Sequence, residues 1–197
     1  MSSQNSESVP VVNEEEVTLK VREVVAESLE LELDEVQLSR SLFELGAESL
    51  DMLDMAFMLE KEYQIQFPRT DILERATAYF GEEALVKGGL VTDMGLKLLE
   101  KGMPELDKSV LKRGLKAIDV AQMISVESFV RITIRLLEAK ATFPTECPNC
   151  GGKLQESSFM PEFVCADCKE TVPLPSGDEI LMQDLIDLAQ DVDVQVG

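Results

Sequence analysis

Apolar positions recur at helical spacing along most of the chain. In EEEVTLKVREVVAESLEL (14 to 31), Val17, Leu19, Val21, Val24, Val25 and Leu29 fit one helix, and its glutamate-rich start suits the positive end of a helix dipole. The irregular stretch ELDEVQLSRSLFELGAE follows, and the pattern then predicts a second helix from about Ser49 to Tyr63. QIQFP closes it, because Pro68 cannot continue a helix. The middle third predicts three more: RTDILERATAYF, VTDMGLKLLEKG ending at Gly102, and PELDKSVLKRGLKAI with Pro104 near its first turn. Ser125 is placed to cap VESFVRITIRLLEAK, whose Phe129, Ile132, Ile134 and Leu136 are expected to face inward. Beyond Phe143 the pattern changes to prolines, glycines, paired cysteines and short β-like runs such as EFVC. ILMQDLIDLAQ then predicts a short acidic amphipathic helix, and DVDVQVG a tail.

The second helix is apolar on two sides. At about 100° per residue, Met52, Met55, Ala56, Leu59 and Tyr63 form one stripe, wide enough to be a core face. Leu50, Leu53 and Phe57 gather nearly opposite, beside Asp51, Asp54 and Glu60. The second stripe is either covered by the middle of the chain or is an acid-rimmed docking patch for a basic partner.

Composition narrows the chemistry. The 197 residues contain no histidine, which removes Ser-His-Asp and Cys-His catalysis and any His-ligated metal. The net charge of −20 argues against nucleic acid and anionic membranes, and for basic partners. It is unevenly spread: about −12 over residues 1 to 68, +1 over 69 to 142 and −9 over 143 to 197. No apolar run is long enough to span a membrane and MSSQNSESVP is not a signal peptide, so a cytoplasmic protein is expected. Its small, polar first 13 residues are expected to be disordered.

Ser49 opens the second helix. One reading makes it an N-cap, its hydroxyl accepting an amide of the first turn. The other makes it the acceptor of a group added by another enzyme, with Gly46 keeping the approach open and the helix terminus favouring a phosphate. LFELGAESLDMLDMAFMLEKEYQIQFP (42 to 68) resembles the acyl carrier protein signature, in which a D-S-L triplet opens the second helix and Phe-Pro or Ile-Pro ends it. The resemblance implies that a phosphopantetheinyl transferase esterifies Ser49 with 4′-phosphopantetheine, whose thiol then carries acyl groups as thioesters. It implies that Glu48, Leu50, Asp51, Leu53, Asp54 and Phe57 meet acyl-transferring or acyl-modifying enzymes with basic docking surfaces. Glu48 stands where the family has Asp, which keeps the charge. The likeness covers residues 14 to 68 and resumes at MISVESFVRITIRLL (123 to 137), which resembles the family's fourth helix. Residues 70 to 122 are then a helical insertion in place of the short third helix, where carriers of this family enclose their cargo.

Cys147, Cys150, Cys165 and Cys168 form two C-x-x-C pairs. Two such turns complete a tetrahedral four-thiolate site, so the segment resembles a zinc ribbon; redox dithiols and mononuclear iron are the alternatives. With all four ligands cysteine, no position is open for a catalytic water, and a structural role is expected. Gly151 follows the first pair, and Lys169 takes the corresponding place after the second.

The expected fold is mainly α: a four-helix acyl-carrier-like bundle over 14–142, with an insertion at about 70–122 and a last bundle helix at about 124–140. A small β zinc ribbon over 143–175 and a short acidic helix and tail over 176–197 complete it. The expected function is a non-catalytic carrier in a specialised lipid or secondary-metabolite pathway, its ribbon and C-terminal helix selecting partners. The alternative is a non-carrier zinc-ribbon scaffold or regulatory protein in which Ser49 is only a cap.

Overall fold

The computed structural model describes residues 12–158 and 160–191. The tail beyond Asp191 and the first eleven residues of the expected disordered segment lie outside them. Helix α1 (Glu14–Leu29) is capped by Asn13, whose side chain accepts from the Glu16 amide at 3.3 Å. It buries Val17, Val21, Val24 and Val25 along one side. Leu19 falls off that stripe and is exposed. Helix α2 (Ser49–Tyr63) buries Met55, Ala56 and Leu59 against the same core, so the first of its two stripes faces inward.

Helix α7 (Val126–Ala141) completes this core with Val126, Phe129, Val130 and Leu136. Ser125 caps it as the sequence suggested, accepting from the Ser128 amide at 3.2 Å. Phe129 lies on Phe67 with ring centroids 5.1 Å apart, which ties the end of the α2 segment to α7. Ile132 and Ile134 pack only partly buried at its edge.

Between α2 and α7 come α3 (Ile72–Phe80), the single turn α4 (Glu82–Leu85), the hairpin β1 (Val86–Lys87) and β2 (Leu90–Val91), α5 (Asp93–Gly102) and the short α6 (Ala117–Val120). The hairpin was not anticipated. Gly88 and Gly89, with φ of +59° and +79°, supply the two positive-φ positions that a tight hairpin turn needs. The helix expected over 104 to 118 is absent apart from α6. The Asp107 carboxylate takes the Ser109 amide at 2.8 Å, and Gly114 turns the chain with φ of +94°, so local side-chain and glycine turns displace helical pairing.

Past α7, a three-stranded antiparallel sheet, β3 (Leu154–Glu156), β4 (Glu162–Cys165) and β5 (Thr171–Pro173), packs Phe163 flat on Phe143 at 4.9 Å. Lys140 joins this sheet to the bundle through the Tyr63 carbonyl and the Glu156 carboxylate. The chain then returns as α8 (Gly177–Asp191), which packs on α3, α5 and α7. Its Ile180 reaches the bundle core, and Leu185 and Ala189 join Ala76, Phe80, Leu85 and Leu98 in a second one. Gly177 is required where α8 starts, since a Cβ there would stand 2.6 Å from Pro68 N and 2.7 Å from the Gln66 carbonyl oxygen.

Candidate functional site

The irregular stretch before α2 is held at both ends. Arg22 on α1 donates to the Val36 and Leu33 carbonyls at 2.8 and 2.6 Å, and Val36 is fully buried. Further along, the Leu42 amide donates to the Ile124 carbonyl at 2.9 Å, and the Val126 amide to the Arg40 carbonyl at 3.1 Å. Leu42 and Ala47 are buried, and Gly46 between them turns with φ of +97°. Ser49 is therefore set on a surface whose underside is fixed by α1 and by the start of α7.

Glu48, in extended conformation, is the cap residue of α2, and Ser49 is the first helical residue. The Glu48 amide donates to Asp51 Oδ2 at 2.7 Å. The Ser49 hydroxyl makes no hydrogen bond among the described residues and is exposed. The cap reading of Ser49 is thus corrected: Glu48 and Asp51 close the helix end, which leaves the hydroxyl free at a terminus whose amides favour an anion.

The second stripe of α2 is uncovered. Leu50 is 72% exposed, Leu53 38% and Phe57 48%. Glu48 and Asp54 are exposed beside them, and Asp51 is half-buried. Arg69 lies over the Phe57 ring at 4.7 Å while both Glu60 carboxylate oxygens accept from it at 2.9 and 2.8 Å, so the far end of the face is partly covered.

Ser49 also stands on the wall of a cleft of about 550 Å³. Met52 and Ala56 of α2, Phe129 and Ile132 of α7 and Met103 after α5 give it an apolar lining. Helix α8 adds Leu181, Leu185 and Leu188 to the lining. Sequence reasoning missed that role, although leucines at i, i+4 and i+7 are the signal of a helix with a face to bury.

Two aspartates dock α8. The Arg135 guanidinium donates to both Asp184 carboxylate oxygens at 2.8 and 2.7 Å. Asp178 accepts from the Arg69 amide at 2.8 Å, the Thr70 hydroxyl at 2.5 Å and Arg75 Nε at 3.2 Å. Burial raises the Asp178 pKa, but the Thr70 hydroxyl, the Arg69 and Thr70 amides and Arg75 outweigh it and hold the carboxyl below its ordinary value. Asp178→Ala leaves the Arg75 side chain, 7% exposed, without its counter-charge. The expected loss is about 2–4 kcal/mol, discounted for the partial exposure of Asp178 and read by denaturant unfolding. Because the folded pKa is lowered, this stabilisation is complete above the ordinary carboxylate value of 3.8 and disappears as pH falls through the folded one.

The four cysteines are brought together. Cys147 Sγ lies 3.7 Å from Cys168 Sγ and Cys150 Sγ 3.5 Å from Cys165 Sγ, with all four sulfurs within 4.8 Å of one another. Tetrahedral thiolates at about 2.3 Å from zinc stand roughly 3.8 Å apart, so the donor set fits a closed four-sulfur metal site. The Cys168 and Asp167 amides pull the Cys165 thiol down to about 6. Cys150, drawn down by the Gly152 amide, is pushed up to about 12 by the Cys168 and Cys165 thiols. Crowded thiols resist losing all their protons by themselves, so a metal bound here would displace protons from them.

The two turns match closely. The Gly151 amide donates to the Cys147 carbonyl at 2.8 Å and the Lys169 amide to the Cys165 carbonyl at 3.2 Å, with φ of +73° and +63°. A lysine in this left-handed conformation is strained where glycine is not. Lys169→Gly is expected to stabilise the module by about 1 kcal/mol, seen as a higher denaturant midpoint for β3–β5.

Known proteins match the front of the chain. Residues 19–78 match the family model described as "Phosphopantetheine attachment site". The acyl carrier protein of Campylobacter jejuni subsp. doylei is 36% identical over 52 residues, which is 26% of this chain and 68% of that protein. No solved structure matches the chain. The family match spans α2 with its free serine and continues through most of α3, and with these helices in place the chain belongs to the acyl carrier protein family.

Proposed function

We propose that Ser49 carries a 4′-phosphopantetheine arm and that the protein delivers acyl groups held on its thiol to partner enzymes, without catalysis of its own. The observation that carries this reading is the unengaged Ser49 hydroxyl, first in its helix, between a naked apolar stripe and an apolar cleft. A phosphopantetheinyl transferase and acyl-handling enzymes with basic surfaces would grip Leu50 and Leu53, steered by Glu48, Asp51 and Asp54. The cleft has the size of a small-molecule site, and its methionines can adapt to chains of different shape. Zinc is the metal that the four cysteines would hold, in a structural role.

The C-terminal helix has a different place in this reading from the one its sequence suggested. Its apolar side is spent on the bundle and the cleft, so it walls the cargo space, and partner selection falls to α2 and the ribbon surface. A specialised pathway fits this construction, because an insertion and a ribbon beside the carrier bundle restrict which enzymes can approach.

Loading with a fluorescent coenzyme A analogue tests the docking face. Leu53→Asp is expected to lower the transferase kcat/KM at least about tenfold, the loss of one interface anchor, while the helical spectrum is unchanged. Equal rates for both proteins would remove the exposed stripe from the interface.

A further inference from the structure

A second face of the molecule is apolar, charged and without a partner, and it lies on the segment between α2 and α7. In the hairpin, Val86 stands opposite Val91 and Lys87 opposite Leu90, and Leu90 is bridged in turn by Lys116. The Val91 amide donates to the Leu115 carbonyl at 2.8 Å and the Ala117 amide to the Gly89 carbonyl at 3.0 Å, so residues 115–117 add a third short segment to the hairpin. Residues opposite one another share a face of a sheet. Val91 is buried, with Val86 and Leu115 packed beside it, which turns that row into the core. The other row, Lys87, Leu90 and Lys116, is turned outward; all three are exposed, Leu90 at 43%. Ile118, two residues further on, is 74% exposed, the most of any large apolar side chain described. Neighbouring Arg113 and Lys108 are taken by Asp93 and Glu100 at 2.6 and 2.7 Å, but Lys87 and Lys116 make no ion pair among the described residues.

We propose that this basic, apolar face docks on the acid-rimmed stripe of α2 in a second copy of the chain. The occupant follows from complementarity. The stripe offers Leu50 and Leu53 with Glu48 and Asp54 exposed beside them, and neither acid makes an ion pair among the described residues. The hairpin face is its inverse, Leu90 and Ile118 beside Lys87 and Lys116. Each face supplies what the other lacks, apolar side chains to cover and counter-charges for the rim. A basic partner would repel the lysines, and a neutral apolar one would leave them unpaired. Both copies are strongly negative, but at physiological salt that general repulsion is screened beyond about 8 Å, whereas the facing side chains meet inside it. Because the two faces differ, the contact is head to tail and builds rings or open chains rather than a two-fold pair. Its apolar part is small, so it belongs with weak, transient contacts. It covers the stripe next to Ser49, so copies in contact are withheld from partner enzymes, and a basic enzyme surface competes with the hairpin for the same stripe. The contact itself goes beyond the carrier reading and needs no arm on Ser49.

Sedimentation velocity of the full-length protein, from about 10 μM to about 1 mM, reads the contact in the range where weak interfaces associate. The average sedimentation coefficient is expected to rise with concentration. Lys87→Glu/Lys116→Glu and Glu48→Lys/Asp54→Lys, each checked for an unchanged helical spectrum, are each expected to weaken association at least about tenfold, because like charges then face each other. Asp51 is kept because it closes α2. An equimolar mixture of the two variants is expected to regain association. The acidified hairpin of one meets the basic α2 of the other, and the two unchanged faces form the original pair. Both variants stay strongly acidic overall, so net charge does not bring them together. Ile118→Ser alters no charge at an exposed position and is expected to weaken association as well; it decides the matter if a reversed protein does not fold. A wild-type chain that stays monomeric to the highest concentration overturns the proposal. That includes a monomer that pellets with phosphatidylglycerol vesicles, which would assign the face to an anionic lipid surface. Association unchanged in a reversed variant or in Ile118→Ser overturns it too, as does a mixture that fails to associate.

Discussion

With a metal held at Cys147, Cys150, Cys165 and Cys168 as proposed, chelation is expected to unfold residues 143–175 and to leave the helices in place. The ribbon has almost no core of its own. Its core cluster is Cys147, Cys165 and Leu154, with Phe143, Phe163 and Val172 packed beside them and Leu174 buried apart from it, and two of the three belong to the four-cysteine group. An apolar cluster of that size cannot offset the ordering of some thirty residues. A metal in such a site, with apparent binding of about 10–16 kcal/mol, would supply the difference. The bundle, by contrast, shares a core from α1, α2 and α7 that contains no ribbon residue. Proteolysis confined to 143–175, four newly reactive thiols and a retained far-UV helical signal are the expected result after chelation. Helix α8 lies beyond the ribbon yet stays docked, since Asp178, Asp184 and its leucines bind α3, α5 and α7 rather than the sheet. Loss of the helical signal in step with the ribbon would contradict this, and so would isolation of a folded ribbon with no metal at all.

The bundle was legible because its signals are local and repeated. Val17, Val21, Val24 and Val25 mark one helical face, and the wheel separates Met55 and Leu59 from Leu50, Leu53 and Phe57 as the structure does. The cysteine cluster was legible from spacing alone, because two C-x-x-C turns constrain where four sulfurs can go. The middle of the chain was harder to read. KSVLKRGLKA has helical composition, but Asp107 and Gly114 settle its backbone through side-chain capture and a positive φ, and such competition is not visible in periodicity. VKGGLV carried a hairpin signal in its paired glycines, though strands of two residues are too short to show alternation. The cleft was not legible, because its walls come from segments more than a hundred residues apart, and Glu105 is an ordinary surface acid until α7 covers it.

Ser49→Ala is expected to have the largest functional effect of any single change, complete loss of the arm. Nothing in the structure gives this hydroxyl a stabilising duty. Glu48 and Asp51 close the helix end, and the exposed Ser49 side chain packs into no core. Alanine is also the best helix former, so the variant is expected to fold with stability unchanged within about half a kcal/mol. Function and stability therefore separate at this position, which a cap residue would not allow, since loss of a serine cap costs typically about 1 kcal/mol.

The most direct test is the intact mass of the protein co-expressed with a phosphopantetheinyl transferase, followed by peptide mapping. The carrier account predicts one added phosphopantetheine, on the peptide containing Ser49, and an unmodified Ser49→Ala protein of equal stability. A wild-type chain that stays unmodified beside an active transferase, or an arm found on any other residue, would contradict it.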